Sequence, residues 1–212
     1  MEIVTVNKNK SNEIYALWNG KGKPFQNNMR ECHSIPLKTS DIVADIGAYI
    51  GEFSVYCARY PVKKVYSYEP TPNTFKVLTM NALPNMELKN VAIVGDKRKT
   101  VDLFLSKGIG VTNSIKKALR KAGKITVPAL QYEEALKDAT IVKIDCEGAE
   151  YEFNIIQPQL RAIILEFHPI VGWDWQKRAK EIIKELNNAG FKTIMESTFK
   201  SGWGLTGSWL KD

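Results

Sequence analysis

The sequence predicts a doubly wound α/β fold built on a mostly parallel sheet. Three observations predict it. From residue 41 onward, short runs rich in β-branched residues alternate with helical stretches. The first run, DIVADIG, passes through a glycine-bearing turn into a helical segment, the kind of junction at which such sheets bind ligands. No internal repeat, low-complexity tract or Pro/Ser-rich linker divides the 212 residues, so one core must hold the domain together.

The elements follow in order. Residues 1–40 fit the alternation poorly and are read as an N-terminal extension or cap, with the domain proper spanning 41–212. Strands are expected at 41–47 (DIVADIG), 63–69 (KKVYSYE), 86–94 (MELKNVAIV), 141–147 (IVKIDCE), 162–168 (AIILEFH) and 191–195 (FKTIM). A helix from Gly51 to Tyr60 follows the first strand. A second runs from Thr71 to Leu83, with Thr71 as N-cap and Pro72 at the first helical position. A third runs from Asp174 to Ala189 and stops at Gly190. Residues 99–128 read as a β-rich insertion, TVDLFL and KITVPAL flanking a long loop.

Composition narrows the class. With 44% hydrophobic and 25% charged residues the chain resembles an average soluble globular protein. No run approaches 18 apolar residues, so no membrane span is expected, and MEIVTVNKNK lacks an apolar signal core. Cys32, Cys57 and Cys146 are widely spaced with no CxxC pairing, which points to neither a disulfide framework nor a zinc knuckle. A reducing, cytoplasmic setting is the expectation. The charge is unusual: 30 Lys and Arg against 23 Asp and Glu leave a net +7.

The segment Asp45-Ile46-Gly47-Ala48-Tyr49-Ile50-Gly51 carries the first functional signal. A dinucleotide fingerprint needs GxGxxG with a pyrophosphate on the helix N-terminus. Here the spacing is GxxxG, and a carboxylate that would repel a pyrophosphate precedes the first glycine. That acid suits a ligand with a cationic amino group and a sulfonium, so it favours S-adenosylmethionine over NAD. The alternative is an ordinary turn with Asp45 capping the helix. Glu69 ends the second strand, where an acid in a nucleotide-binding α/β fold accepts hydrogen bonds from ribose hydroxyls; the alternative is a cap for the helix at Thr71. Asn90, Val91 and Ala92 close the third strand, beside the expected adenine position, although an exposed turn Asn reads the same.

These blocks resemble a family. DIGAYIG, YSYEPTPNTFKVLTMNA, VKIDCEGAEYEF and ILEFH look like the FkbM-type S-adenosylmethionine-dependent methyltransferases, over about residues 43–168. The specific positions are Glu69-Pro70, Pro72, Phe75, Leu78 and Asn81, then Lys143-Ile144-Asp145 with Glu147-Gly148-Ala149-Glu150. The resemblance implies a Rossmann-like class I methyltransferase sheet whose antiparallel last strand is LTGSWL (205–210), and methyl transfer to an oxygen, often a sugar or polyketide hydroxyl. From the residues themselves the cofactor site is expected at Asp45, Gly47, Tyr49, Gly51, Glu69, Asn90, Ala92 and Asp145. The family usually has Asn where this chain has Tyr49.

The KIDCEG segment and the strand after it form the expected acceptor site. Asp145 ends the fourth strand, beside the first, so Asp45 and Asp145 are both expected to face the crevice. Asp145 could orient an acceptor hydroxyl and Glu147 could bind sugar hydroxyls. Together with Glu166 or His168 the acids could hold a divalent metal. The alternative pairs Lys143 with Glu150 in a surface ion pair worth ~0–1 kcal/mol. Period-2 alternation puts Glu166 and His168 on one face, and a neutral His near pKa ~6.5 can take the hydroxyl proton; otherwise His168 merely caps its strand. Cys146 is expected to be a buried small hydrophobe, and His33 to have no direct role.

Most of the charge excess has one address. Residues 106–124 carry Lys107, Lys116, Lys117, Arg120, Lys121 and Lys124 and no acid. This basic loop-helix is read as a flap beside the acceptor site, with Lys116 and Lys117 meeting a phosphorylated or nucleotide-linked acceptor, or else as a solvated helix face. Trp173 could stack on a sugar. An RNA substrate is the competing class, since Trp173, Trp175 and Trp203 could stack bases while the basic segment meets phosphates; the aromatics are not interleaved with that segment. A non-enzymatic nucleotide-binding module is a third class and would make the strand-end acids incidental. No Asn/Asp-Pro-Pro-Tyr motif and no Pro-Cys dipeptide is present, which argues against methylation of adenine amines or of cytosine C5.

Overall fold

The structure is a computed structural model that describes residues 2–6, 14–18, 34–106, 113–115, 121–170, 172–198 and 204–211. Within the extension, β1 (Glu2–Val6) and β2 (Ile14–Trp18) pair antiparallel as a separate two-stranded sheet, and β2 runs beside α2. The central sheet comprises β3 (Ile42–Ile46), β4 (Lys64–Tyr68), β5 (Met86–Lys89), β9 (Ile141–Ile144), β10 (Ala162–Phe167), β11 (Lys192–Thr198) and β12 (Leu205–Leu210). Its order is β11-β12-β10-β9-β3-β4-β5. The five strands from β10 to β5 are parallel, and β12 is antiparallel to both its neighbours. This is the class I, Rossmann-like arrangement with an antiparallel β12, as expected from the resemblance.

The chain begins the parallel sheet at β3, builds outward through β4 and β5, and returns on the other side with β9 and β10. The switch point therefore lies between β3 and β9, whose register pairs Asp45 with Lys143. Every residue of β3 is buried, as a strand covered on both faces requires. Val43, Val65, Ile141 and Ile164 pack on one face with Phe53 and Cys57 of α1 (Glu52–Arg59). Ala44, Ile46, Val142 and Ile144 pack on the other with Ile182 and Leu186 of α4 (Trp175–Asn188) and with Trp209. The three anticipated helices form at their expected places, α2 spanning Pro72–Met80 with Thr71 at its N-cap and Pro in its first turn. Asp174 caps α4 by accepting from the Lys177 amide at 3.0 Å.

Two expectations need correction. MELKNVAIV is not one strand. It breaks at Asn90-Val91: β5 stays in the central sheet, while β6 (Ala92–Val94) joins a three-stranded sheet of order β6-β8-β7. There β7 (Thr100–Ser106) and β8 (Lys121–Gln131) pair antiparallel, so the β-rich insertion forms and captures β6. Lys121–Lys124, read as the end of the basic loop-helix, belong to β8, where Lys124 pairs with Asp102 at 2.7 Å; Lys107, Lys116, Lys117 and Arg120 lie outside the described residues. A five-residue helix unforeseen in the sequence, α3 (Tyr132–Leu136), follows β8 and buries Tyr132 and Leu136. Among the described residues no helix is long and apolar enough to cross a membrane.

One buried ion pair fastens the base of the sheet. Asp41 is 1% exposed and takes the Arg161 guanidinium, with Nε at 2.7 Å, while accepting from Thr140 Oγ1 at 3.0 Å and the Lys38 amide at 2.6 Å. Arg161→Met strands that carboxylate and is expected to cost about 3–5 kcal/mol. Urea unfolding reads this directly, and an unchanged midpoint would contradict the assignment.

Candidate active site

A cavity of about 330 Å³ opens over the carboxyl ends of β3, β4, β9 and β10. On the β4 side it is walled by Tyr49, Glu69, Thr71 and Ala92, on the β9–β10 side by Asp145, Glu147 and Glu166, with Gly47 between them against Asp145 O. Its size falls within the range of small-molecule sites. Asn113 and Ile115 of the insertion also line it.

The glycine turn is spoken for by its own backbone. The Gly47 and Ala48 amides both donate to Tyr68 O, at 3.0 and 2.9 Å, and the Gly51 amide donates to Ala48 O at 2.8 Å. The Tyr49 amide donates to Glu69 Oε2 at 3.0 Å. Donors that would cradle a pyrophosphate are thus engaged, and a carboxylate sits on the turn. Gly47 is required sterically: at φ +77°, an added Cβ would lie 1.8 Å from Asp145 O. Tyr49 adopts a left-handed φ of 51°, a conformation that the family's usual Asn reaches at lower cost.

Glu69 is 6% exposed and held from both sides, its Oε1 accepting from the Thr71 amide at 2.7 Å. Each oxygen retains acceptor capacity toward the cavity. Burial pushes its carboxyl up to about 7, against the amide hydrogen bonds that favour the charged form. Asn90 does not line the cavity. Its Nδ2 donates to Glu69 O at 2.7 Å and Pro70 O at 3.1 Å, so it shapes the loop that presents Glu69.

Asp45 does not face the crevice. It is fully buried behind the turn, where Ser54 Oγ donates to it at 2.6 Å and Lys143 Nζ lies 3.3 Å away. Gly51 stands at the N-cap of α1, tight against Leu78. Lys143 also reaches Asp145 at 3.4 Å and donates to Gly47 O at 3.1 Å. The Lys143–Glu150 surface pair is therefore overturned: Lys143 is buried between two other acids, and Glu150 is fully buried against His168.

At the acidic end, Glu147 is held at a left-handed φ of 55° before Gly148. Burial pushes its carboxyl up to about 8; His168 opposes the rise, and Asp145, Glu166 and Glu150 add to it. Burial and the Asp145 charge push Glu166 upward too. His168 Nε2 lies 3.6 Å from Asp145, 3.7 Å from Glu147 and 3.6 Å from Glu166. Burial alone would lower the imidazole, but the Glu150 hydrogen bond and the surrounding carboxylates hold it well above its usual range. His168, expected as the base, does not itself line the cavity; its Nε2 faces the acids that do.

The remaining expected residues are spread more widely. Cys146 packs against the core yet lines the cavity. Trp173 is 45% exposed and stacks edge-on against Tyr151, away from the cavity wall. Lys116, Lys117, His33 and Trp203 lie outside the described residues. Sequence reading missed Asn113, Ile115 and Leu103 as wall residues. No periodicity marks them, because the β6-β8-β7 sheet positions them.

The sheet order, the switch-point cavity and the acids around it define a class I methyltransferase fold. The chain belongs to the methyltransferase FkbM domain family, which matches residues 45–193. It is 25% identical over 155 residues to "Methyltransferase 1" of Beauveria bassiana, covering 58% of this chain and 61% of that protein. The chain thus spans about three-fifths of that relative's length. Among solved structures, TYW2 of P. horikoshii in complex with MeSAdo aligns over 99% of this chain and 72% of its own, with TM-score 0.53 and 18% identity. A precorrin-6y methyltransferase from Geobacter metallireducens aligns over 86% of both chains, with TM-score 0.47 and 13% identity.

A ribose diol on Glu69 requires the ionised carboxylate. Affinity for S-adenosylhomocysteine is therefore expected to fall as pH drops below about 7, by about tenfold per unit at most, and Glu69→Gln should flatten the profile. Calorimetry from pH 5.5 to 8 reads both; a level wild-type profile would remove Glu69 from the ribose.

Proposed function

We propose that the chain is an S-adenosylmethionine-dependent O-methyltransferase acting on a hydroxyl of a sugar, glycan or glycosylated small molecule. The observation that carries this reading is the polarity of the cavity. One buried acid, Glu69, stands at the end walled by Tyr49, Thr71 and Ala92. Three carboxylates, Asp145, Glu147 and Glu166, stand at the other. The first end suits an adenosyl group: a carboxylate for the ribose and apolar walls from Val91, Ala92, Ile93 and Leu103. The second suits a neutral polyol, whose hydroxyls donate to carboxylates. The phosphates of a nucleic acid would be repelled there.

When bound, S-adenosylmethionine supplies an electrophilic methyl carbon: the acceptor oxygen forms the new C–O bond, the C–S bond breaks with its electron pair returning to sulfur, and the hydroxyl proton departs. The chain's contribution is placement and proton acceptance. Alignment of nucleophile and methyl supplies most of the rate in such displacements. Asp145 and Glu166 orient the hydroxyl, and a cavity-facing carboxylate accepts its proton. Lys143, between Asp45 and Asp145, keeps the end of β9 against the glycine turn. The basic segment of 106–124, with Lys116 and Lys117, would meet an anionic group elsewhere on the acceptor.

Glu166→Gln should lower kcat about 10²–10⁴-fold while S-adenosylhomocysteine still binds. Near-normal turnover would remove Glu166 from the acceptor site. Labelled methyl transfer should enter glycans or sugar conjugates and not RNA; incorporation into RNA alone overturns the substrate class. Replacing Lys116, Lys117, Arg120 and Lys121 with Gln should raise the acceptor's KM and weaken its salt dependence. An unmoved KM would return that segment to a solvated face.

A further inference from the structure

The acidic end of the cavity holds more negative charge than its lysine offsets. Asp145, Glu147, Glu150 and Glu166 lie around His168, and among the described residues the ammonium that reaches them is Lys143 at Asp145, already shared with Asp45. Into this cluster projects one imidazole. One ligating atom each from Asp145, Glu166 and His168 lies within 4.8 Å of the others. The contacts of His168 Nε2 with Asp145 and Glu166 are both 3.6 Å, and with Glu147 3.7 Å. Those distances are too long for direct hydrogen bonds. They match the spacing of neighbouring donors around a common ion, roughly 3–4 Å for bonds of about 2.1 Å.

A second observation concerns the orientation of the ring. Glu150 is fully buried, and its Oε1 faces His168 Nδ1 at 3.3 Å while accepting from the His168 amide at 2.7 Å. Its Oε2 accepts from the Gly148 amide at 2.8 Å. The ring is thereby fixed with Nε2 turned toward the three carboxylates. This is the carboxylate–histidine arrangement that orients a metal-bound imidazole.

The geometry points to a divalent-cation site of the Mn²⁺/Mg²⁺ class formed by Asp145, Glu166 and His168, with Glu150 positioning the imidazole. An oxygen-rich set with one imidazole and no thiolate suits those ions. The site stands on its own geometry; its consequence rests on the methyltransferase reading. There the cation's open positions would take the acceptor hydroxyl oxygen and ease loss of its proton, which passes to a neighbouring carboxylate or water.

The test is titration of the full chain with MnCl₂, free Mn²⁺ being followed by electron paramagnetic resonance. One ion should bind per chain. Asp145→Asn and Glu166→Gln should each weaken binding at least tenfold, and the positioning variant Glu150→Gln about 10–100-fold. Pulsed spectra of the bound ion should show a nitrogen coupling that His168→Gln removes. Each variant's thermal transition and circular dichroism spectrum report whether it has kept its fold; if His168→Gln fails there, the two carboxylate variants decide. No bound Mn²⁺ at about 1 mM overturns the site, as does binding unchanged in Asp145→Asn and Glu166→Gln. Absent Mn²⁺ binding with S-adenosylhomocysteine still bound removes the cation alone. Mn²⁺ bound without affinity for S-adenosylhomocysteine removes the methyltransferase reading and leaves the cation site.

Discussion

The arrangement at the switch point depends on one buried ammonium. Lys143 Nζ lies among Asp45, Asp145 and the carbonyl of Gly47, and its side chain is 5% exposed. Two acids at the ends of adjacent parallel strands would otherwise repel each other in a dry environment. The lysine offsets that repulsion and, in the same contact, ties the glycine turn to the end of β9. Removing one partner of such a buried set leaves the others uncompensated, which costs far more than a surface pair. The position of Asp145, and with it the acidic end of the cavity, follows from this contact.

The rest of the site is a chain of positioning contacts. Tyr49 and Thr71 hold Glu69 through their amides, and Asn90 fixes the loop behind it. Glu150 holds His168, which gathers Asp145, Glu147 and Glu166. Two non-glycine residues in left-handed conformations, Tyr49 and Glu147, stand at the two ends of the same cavity. Backbone strain of this kind persists where surrounding structure over-determines it, commonly at functional sites. The cavity is therefore polarised between a single acid among apolar walls and a dense acidic cluster.

Much of this was legible in the sequence because local signals and topology agreed. DIVADIG, IVKIDCE and AIILEFH declared their strands, Thr71-Pro72 its helix start, and the strand-end rule put Glu69, Asp145 and Glu166 at the sheet edge. What was illegible depended on contacts without local signature. Asp45 was drawn behind the turn by Lys143, 98 residues along the chain, through a register that only the folded sheet defines. MELKNVAIV is continuously strand-like, and only the pairing of Ala92–Val94 with β8 splits it. The orientation of His168 is set by Glu150, buried in a 3₁₀ turn whose sequence reads as an exposed acidic stretch. Asn113 and Ile115 reach the wall through an insertion with no periodicity of its own.

The central claim is that one cavity holds the cofactor with its ribose on Glu69 and its sulfur toward Asp145 and Glu166. A crystal structure of the chain grown with S-adenosylhomocysteine tests it most directly. The account predicts both ribose hydroxyls within hydrogen-bond distance of the Glu69 carboxylate and the thioether sulfur directed at the Asp145–Glu166 end. Ligand density outside this cavity, or an adenosyl group lying among the carboxylates with Glu69 uncontacted, would contradict it.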